Sequence, residues 1–106
     1  MRTVKDGPKG HVGLLLLSAL EAGPAHGYGL VEALRERSDG ELDLAEGTVY
    51  PALYRLERQG LIESSWADGQ TRRRRIYRLS TRGVAELASG RDSWRRWVQA
   101  MDAVIA

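Results

Sequence analysis

Residues 47–62 read Gly47-Thr48-Val49-Tyr50-Pro51-Ala52-Leu53-Tyr54-Arg55-Leu56-Glu57-Arg58-Gln59-Gly60-Leu61-Ile62. At ~100° per residue, Val49, Ala52, Leu53 and Leu56 gather on one side of a wheel, which predicts a helix from about Gly47 to Gln59. Gly60 stands where a left-handed C-terminal cap belongs, and apolar Leu61 follows it as such caps prefer. Pro51 carries no amide hydrogen and fits only in a first turn, so the helix is read to begin near Thr48, the N-cap candidate.

The face opposite that apolar side carries Tyr50, Pro51, Tyr54, Arg55 and Arg58 in place of an ordinary Glu and Lys mixture. Arginine takes guanine O6 and N7 with two hydrogen bonds, a tyrosine hydroxyl reaches a phosphate, and its ring rests against a sugar or a thymine methyl. The alternative is a half-buried tyrosine pair. The chain has no asparagine, so adenine readout through a bidentate amide falls to Gln59 or Gln70, and sequence preference leans on arginine, Thr48 and DNA shape.

Past Gly60 the period switches from helical to alternating. Ile62, Ser64 and Trp66 share one face, and beyond an Asp68-Gly69 turn signal Tyr77 and Leu79 share another, which reads as a β-hairpin. Net charge is only +2, yet residues 71–82 hold six arginines and no acid. A basic run alone is commonly a solvated face. Beside a recognition helix, Arg72, Arg73, Arg74 and Arg75 read instead as a wing lying along phosphates or reaching a minor groove.

Upstream, leucines at 14, 16, 17 and 20 crowd one side of a helix from Lys9 to Ala22, stopped by Gly23 and Pro24. A second helix follows His26 and Gly27, with Tyr28, Val31 and Leu34 at helical spacing, and ends near Ser38, Asp39 and Gly40. His26 is read as structural, and His11 is given no role. Ser80 or Thr81 caps a last helix. The order is three helices, a hairpin and a long helix: a mainly α chain with a β-hairpin, the winged helix-turn-helix arrangement, plus a C-terminal dimerisation helix. The division is a loose arm at 1–9, a DNA-binding domain at 10–80 and the dimerisation helix at 81–106.

In that last helix Val84, Leu87, Arg91, Trp94, Val98, Met101 and Ile105 recur in alternating steps of three and four, the seam of a helix that meets a partner helix. Trp94 and Trp97 join a broad apolar stripe there. One reading is plain dimer core. The other is a slot between paired indoles for a flat aromatic ligand, with Arg91 receiving an acidic group. Gly90 lies in the helix interior, where glycine costs about 1 kcal/mol relative to alanine, and marks the place for a kink.

Several classes are excluded. The chain lacks cysteine, which removes disulfides, thiolate nucleophiles and cysteine-based zinc sites and agrees with a cytoplasmic location. The apolar run Val12 to Leu20 is far shorter than the ~20 residues of a membrane span. No nucleophile elbow, phosphate loop or paired-histidine metal motif is present. The reading is therefore a non-enzyme with no metal and no cofactor.

The stretch from Gly47 to Ile62 resembles the signature of the PadR family of bacterial transcriptional regulators. Pro24-Ala25-His26-Gly27-Tyr28 is similar to the family's approach to its second helix, Arg72 to Arg75 to its basic wing, and Tyr77-Arg78-Leu79-Ser80-Thr81-Arg82-Gly83 to its passage into the last helix. The likeness covers roughly residues 10–105, and the single C-terminal helix matches the small subfamily. Gly29 stands where a larger residue is more usual, and Ser80 where threonine is commoner. The resemblance implies a homodimeric repressor on a near-palindromic duplex operator. It matches Thr48, Tyr50, Pro51, Tyr54 and Arg55 to the recognition helix and the wing arginines to the basic hairpin. It also implies release by a small aromatic or phenolic effector near Trp94 and Trp97. The competing classes are a small-molecule-binding protein and a protein-interaction module without specific DNA binding.

Overall fold

Leucine-rich α1 (Val12–Leu20) buries Val12, Leu16, Leu17, Ala19 and Leu20, and every other helix packs around it. The structure is a computed structural model that describes residues 11–67 and 74–106. Lys9, the arm at 1–9, the Asp68-Gly69 turn signal and Arg72 and Arg73 lie outside the described residues. After α1 come β1 (Ala25–His26), α2 (Gly27–Arg37), α3 (Glu46–Arg58), β2 (Ile62–Trp66), β3 (Arg75–Leu79) and α4 (Thr81–Ile105). One core joins them: Leu30, Val31 and Leu34 from α2, Val49, Ala52, Leu53 and Leu56 from α3, with Leu61, Ile62, Tyr77 and Leu87 closing it.

The sheet has three strands rather than the two of a simple hairpin, in the order β1-β3-β2. Ala25 pairs with Tyr77 and His26 with Ile76, which pins the start of α2 to the wing. Across the hairpin Ile62 pairs with Leu79, Ser64 with Tyr77 and Trp66 with Arg75. Directly opposed residues share a face. The two alternating sets are therefore one face, not two, and its inner end is core.

α3 begins two residues before the sequence reading placed it, and Thr48 is not its cap. The N-cap is Ala45, with no side-chain bond, and the Thr48 and Val49 amides bond to the Ala45 carbonyl at 2.9 and 3.0 Å. Packing draws the start forward: Leu44 lies against the core that contains Val49, the two positions of a hydrophobic staple. Pro51 consequently sits inside the helix. The carbonyl it fails to serve is that of Gly47, which stands exposed to solvent, so the missing bond leaves no buried acceptor unpaired.

The far end of α3 follows its sequence. Gly60 adopts φ 76°, its amide bonds to the Glu57 carbonyl and the Leu61 amide to the Leu56 carbonyl, both at 3.0 Å, a Schellman cap. Ser80 then ties α4 to that cap: its Oγ accepts the Gly83 amide at 3.0 Å and donates to the Gly60 carbonyl at 2.6 Å. α4 runs continuously for 25 residues. Gly90 has a packing reason, because a Cβ there would come within 2.7 Å of Leu14 Cδ1; its bare backbone lets α1 approach.

Candidate nucleic-acid interface

α3 positions the candidate surface by burying one side completely. Val49 and Leu53 are fully enclosed, which leaves Tyr50, Pro51, Tyr54, Arg55 and Arg58 exposed and Thr48 partly so. Tyr54 is 62% exposed, so the half-buried alternative does not describe it. The Arg58 guanidinium lies 5.7 Å from the Tyr54 ring centroid, a cation–π contact one turn along the helix. Tyr50 leans on α2: a Cβ at Gly27 would lie 2.6 Å from its ring and hydroxyl, so glycine is required for that approach.

The wing arginines divide into distinct roles. Arg75 stacks over the Trp66 ring at 5.0 Å and its Nε donates to Ser64 Oγ at 2.8 Å. Ser64 in turn donates to Glu57 of α3 at 2.6 Å. Arg75 thus fixes the hairpin to α3. Arg78 on the other face is paired with Glu63 at 3.6 Å. Arg74 reaches back to His26, 3.1 Å between Arg74 Nη1 and His26 Nε2. Sequence reasoning left His26 structural and missed this contact; β1, only two residues long, is what brings it to the wing. Burial beneath the sheet pushes the Tyr77 phenol above its ordinary value.

α4 distributes its seam residues unequally. Leu87 is 1% exposed and belongs to the chain's own core, and Arg91 holds Glu21 of α1 through 3.1 and 2.6 Å bonds. That pairing draws the Glu21 carboxyl below its usual range and raises Arg91, the shared hydrogen bond being the first cause for both. Val84, Trp94, Met101, Val104 and Ile105 are exposed and Val98 half-buried. Trp94 and Trp97 stack on one another, 5.3 Å between centroids and 23° between planes, and the His11 ring meets Trp94 edge-on at 4.9 Å. There is no slot between the indoles within this chain. A cavity of about 500 Å³ lies beside them, lined by residues that include Leu14, Leu15, Leu42 and Arg91.

Three helices, a strand paired to the wing and a basic hairpin define a winged-helix protein. Residues 16–89 match the PadR-like family of transcriptional regulators, and the chain belongs to that family. It is similar to a transcriptional regulator from Clostridium thermocellum, at 27% identity over 96% of this chain and 100% of that one, TM-score 0.90. A PadR family transcription regulator from Clostridium difficile is 31% identical over 91% of this chain and 99% of its own, TM-score 0.78. Another from Eggerthella lenta is 30% identical, covering 94% and 86%, TM-score 0.83. Among the described residues no helix is long and apolar enough to cross a membrane.

Proposed function

We propose that the chain is a homodimeric repressor that binds a near-palindromic duplex operator. The observation that carries this reading is the outer face of α3, where Tyr50, Tyr54, Arg55 and Arg58 stand exposed opposite a fully buried apolar side. α3 enters the major groove, the wing arginines Arg72 to Arg75 grip phosphates, and two α4 helices join through Val84, Trp94, Val98, Met101 and Ile105. Residues 10–80 act as the DNA-reading head and 81–106 as the joint. Arg75, held by Ser64 and Trp66, aims the wing as well as charging it.

Anisotropy of a labelled duplex from the protein's own upstream region, against a scrambled duplex at low and moderate salt, tests the proposal. Preference for the upstream duplex with affinity falling steeply in salt supports it, because arginine meeting phosphate releases counterions. Binding that ignores salt refutes it and favours a protein partner. Arg55→Ala costs on the order of 1–3 kcal/mol and relaxes discrimination at one base position; equal weakening on every sequence refutes base reading by Arg55.

The cavity beside Trp94 favours an effector reading as well. Its apolar walls suit a flat aromatic or phenolic compound, while Arg91, already satisfied by Glu21, is a wall rather than the receptor for the compound's acid. Quenching of indole fluorescence by such a compound, with loss of operator affinity, supports release by an effector. Quenching with operator affinity unchanged refutes it.

A further inference from the structure

His26 stands between two donors that one neutral imidazole cannot both serve. Its Nδ1 accepts the Gly29 amide at 3.0 Å, capping α2, and its Nε2 lies 3.1 Å from Arg74 Nη1. A neutral imidazole offers one lone pair, and arginine has only hydrogens to give. One of the two contacts is therefore a hydrogen bond and the other sets donor against donor. The Gly29 amide belongs to the first turn of a helix, where a lost partner is costly, whereas exposed Arg74 finds water as easily as imidazole. The cap keeps Nδ1 as the acceptor. The ring hydrogen then resides on Nε2, beside the guanidinium, and neither donor serves the other.

We propose that His26 Nε2–H and Arg74 form a two-donor clamp for one backbone phosphate of duplex DNA, a contact that rests on the DNA-binding reading above. A phosphate oxygen only accepts, and supplies what both groups lack. The clamp lies where three DNA-facing elements meet: His26 ends β1 and caps α2, Arg74 leads into β3, and Tyr50 of α3 covers Gly27. It is off the recognition helix itself, so it grips the backbone and carries no sequence information.

The test begins with nitrogen NMR of the imidazole in the free protein. The hydrogen is expected on Nε2; finding it on Nδ1 overturns the clamp. His26→Ser keeps a good N-cap and removes the second donor. At an unchanged melting midpoint it should weaken binding about tenfold, equally on upstream and scrambled duplexes. Arg74→Ala, which leaves the cap untouched, should do at least as much, and the double variant should lose far less than the product of the two. Wild-type binding with His26→Ser unaffected, or strictly multiplicative losses, overturns the clamp and leaves the regulator reading standing; a wild type that binds neither duplex sinks both. The Nε2 resonance should move on adding duplex. Movement with inorganic phosphate and none with duplex overturns the assignment to DNA.

Discussion

Gly83→Ala tests the joint between the winged-helix unit and the long helix. By helix propensity alone the change stabilises by about 1 kcal/mol. The packing reverses that sign. Gly83 is buried in the first turn of α4, and a Cβ there would overlap the Leu61 carbonyl oxygen and reach 3.0 Å from its carbon. The obstacle is main chain and cannot rotate aside, so α4 and the Leu61 backbone must part by on the order of 1 Å to regain ordinary contact. Overpacking of this kind costs about 3 kcal/mol. The same separation loosens the 3.1 Å bond from the Ser80 amide to the Leu61 carbonyl, adding about 1 kcal/mol. After the propensity gain the net loss is about 3 kcal/mol, which lowers the melting midpoint by on the order of 15 °C in a domain of this size. Urea and thermal unfolding followed by circular dichroism, at one protein concentration, measure it. Gly47→Ala is the control: nothing lies within 4 Å of that position, and it should gain up to about 1 kcal/mol. If Gly83→Ala matches or exceeds wild type at an unchanged urea slope, the stated packing of α4 on Leu61 is wrong.

Ser80→Ala removes both the Gly83 cap and the Gly60 bond and should cost about 1–2 kcal/mol in urea unfolding; a neutral result contradicts the tie between the two helices. Glu21 is held below its ordinary carboxylate range by Arg91, so its folded value lies under its unfolded one. Its contribution is present above the usual carboxylate range and fades as pH falls through the folded value. Wild type and Glu21→Gln should therefore differ at neutral pH and converge in strong acid; a gap that widens in acid refutes the pairing. Trp94→Ala should weaken self-association in sedimentation and abolish quenching by aromatic compounds, and no change in either removes Trp94 from both roles.

What could be read from the sequence was what local chemistry decides. Gly60 and Ser80 cap their helices with their own conformations and hydroxyls, and the apolar side of α3 is set by spacing alone. The start of α3 was not legible because Leu44, outside the period, helps to set it by packing on the core. β1 was hidden for a related reason: two residues make a strand only because Tyr77 and Ile76 arrive beside them. Heptad spacing in α4 did not distinguish a residue facing a partner from one facing its own chain, and Leu87 and Arg91 prove to be the second kind. Arginine identity likewise did not separate Arg75, bonded inward to Ser64, from Arg74 beside His26.

The direct seating of Gly83 on Leu61, with Ser80 bonded to the last turn's cap, ties the start of α4 to the end of α3. At 1.5 Å per residue α4 projects about 37 Å, so the pair has the proportions of a bell crank, with α3 as the short arm and Ile105 at the end of the long one. A 5° swing of that arm about the joint displaces its tip by about 3 Å over such a length. The orientation of α3 and the position of Ile105 are thereby tied to one another through the seat at Gly83.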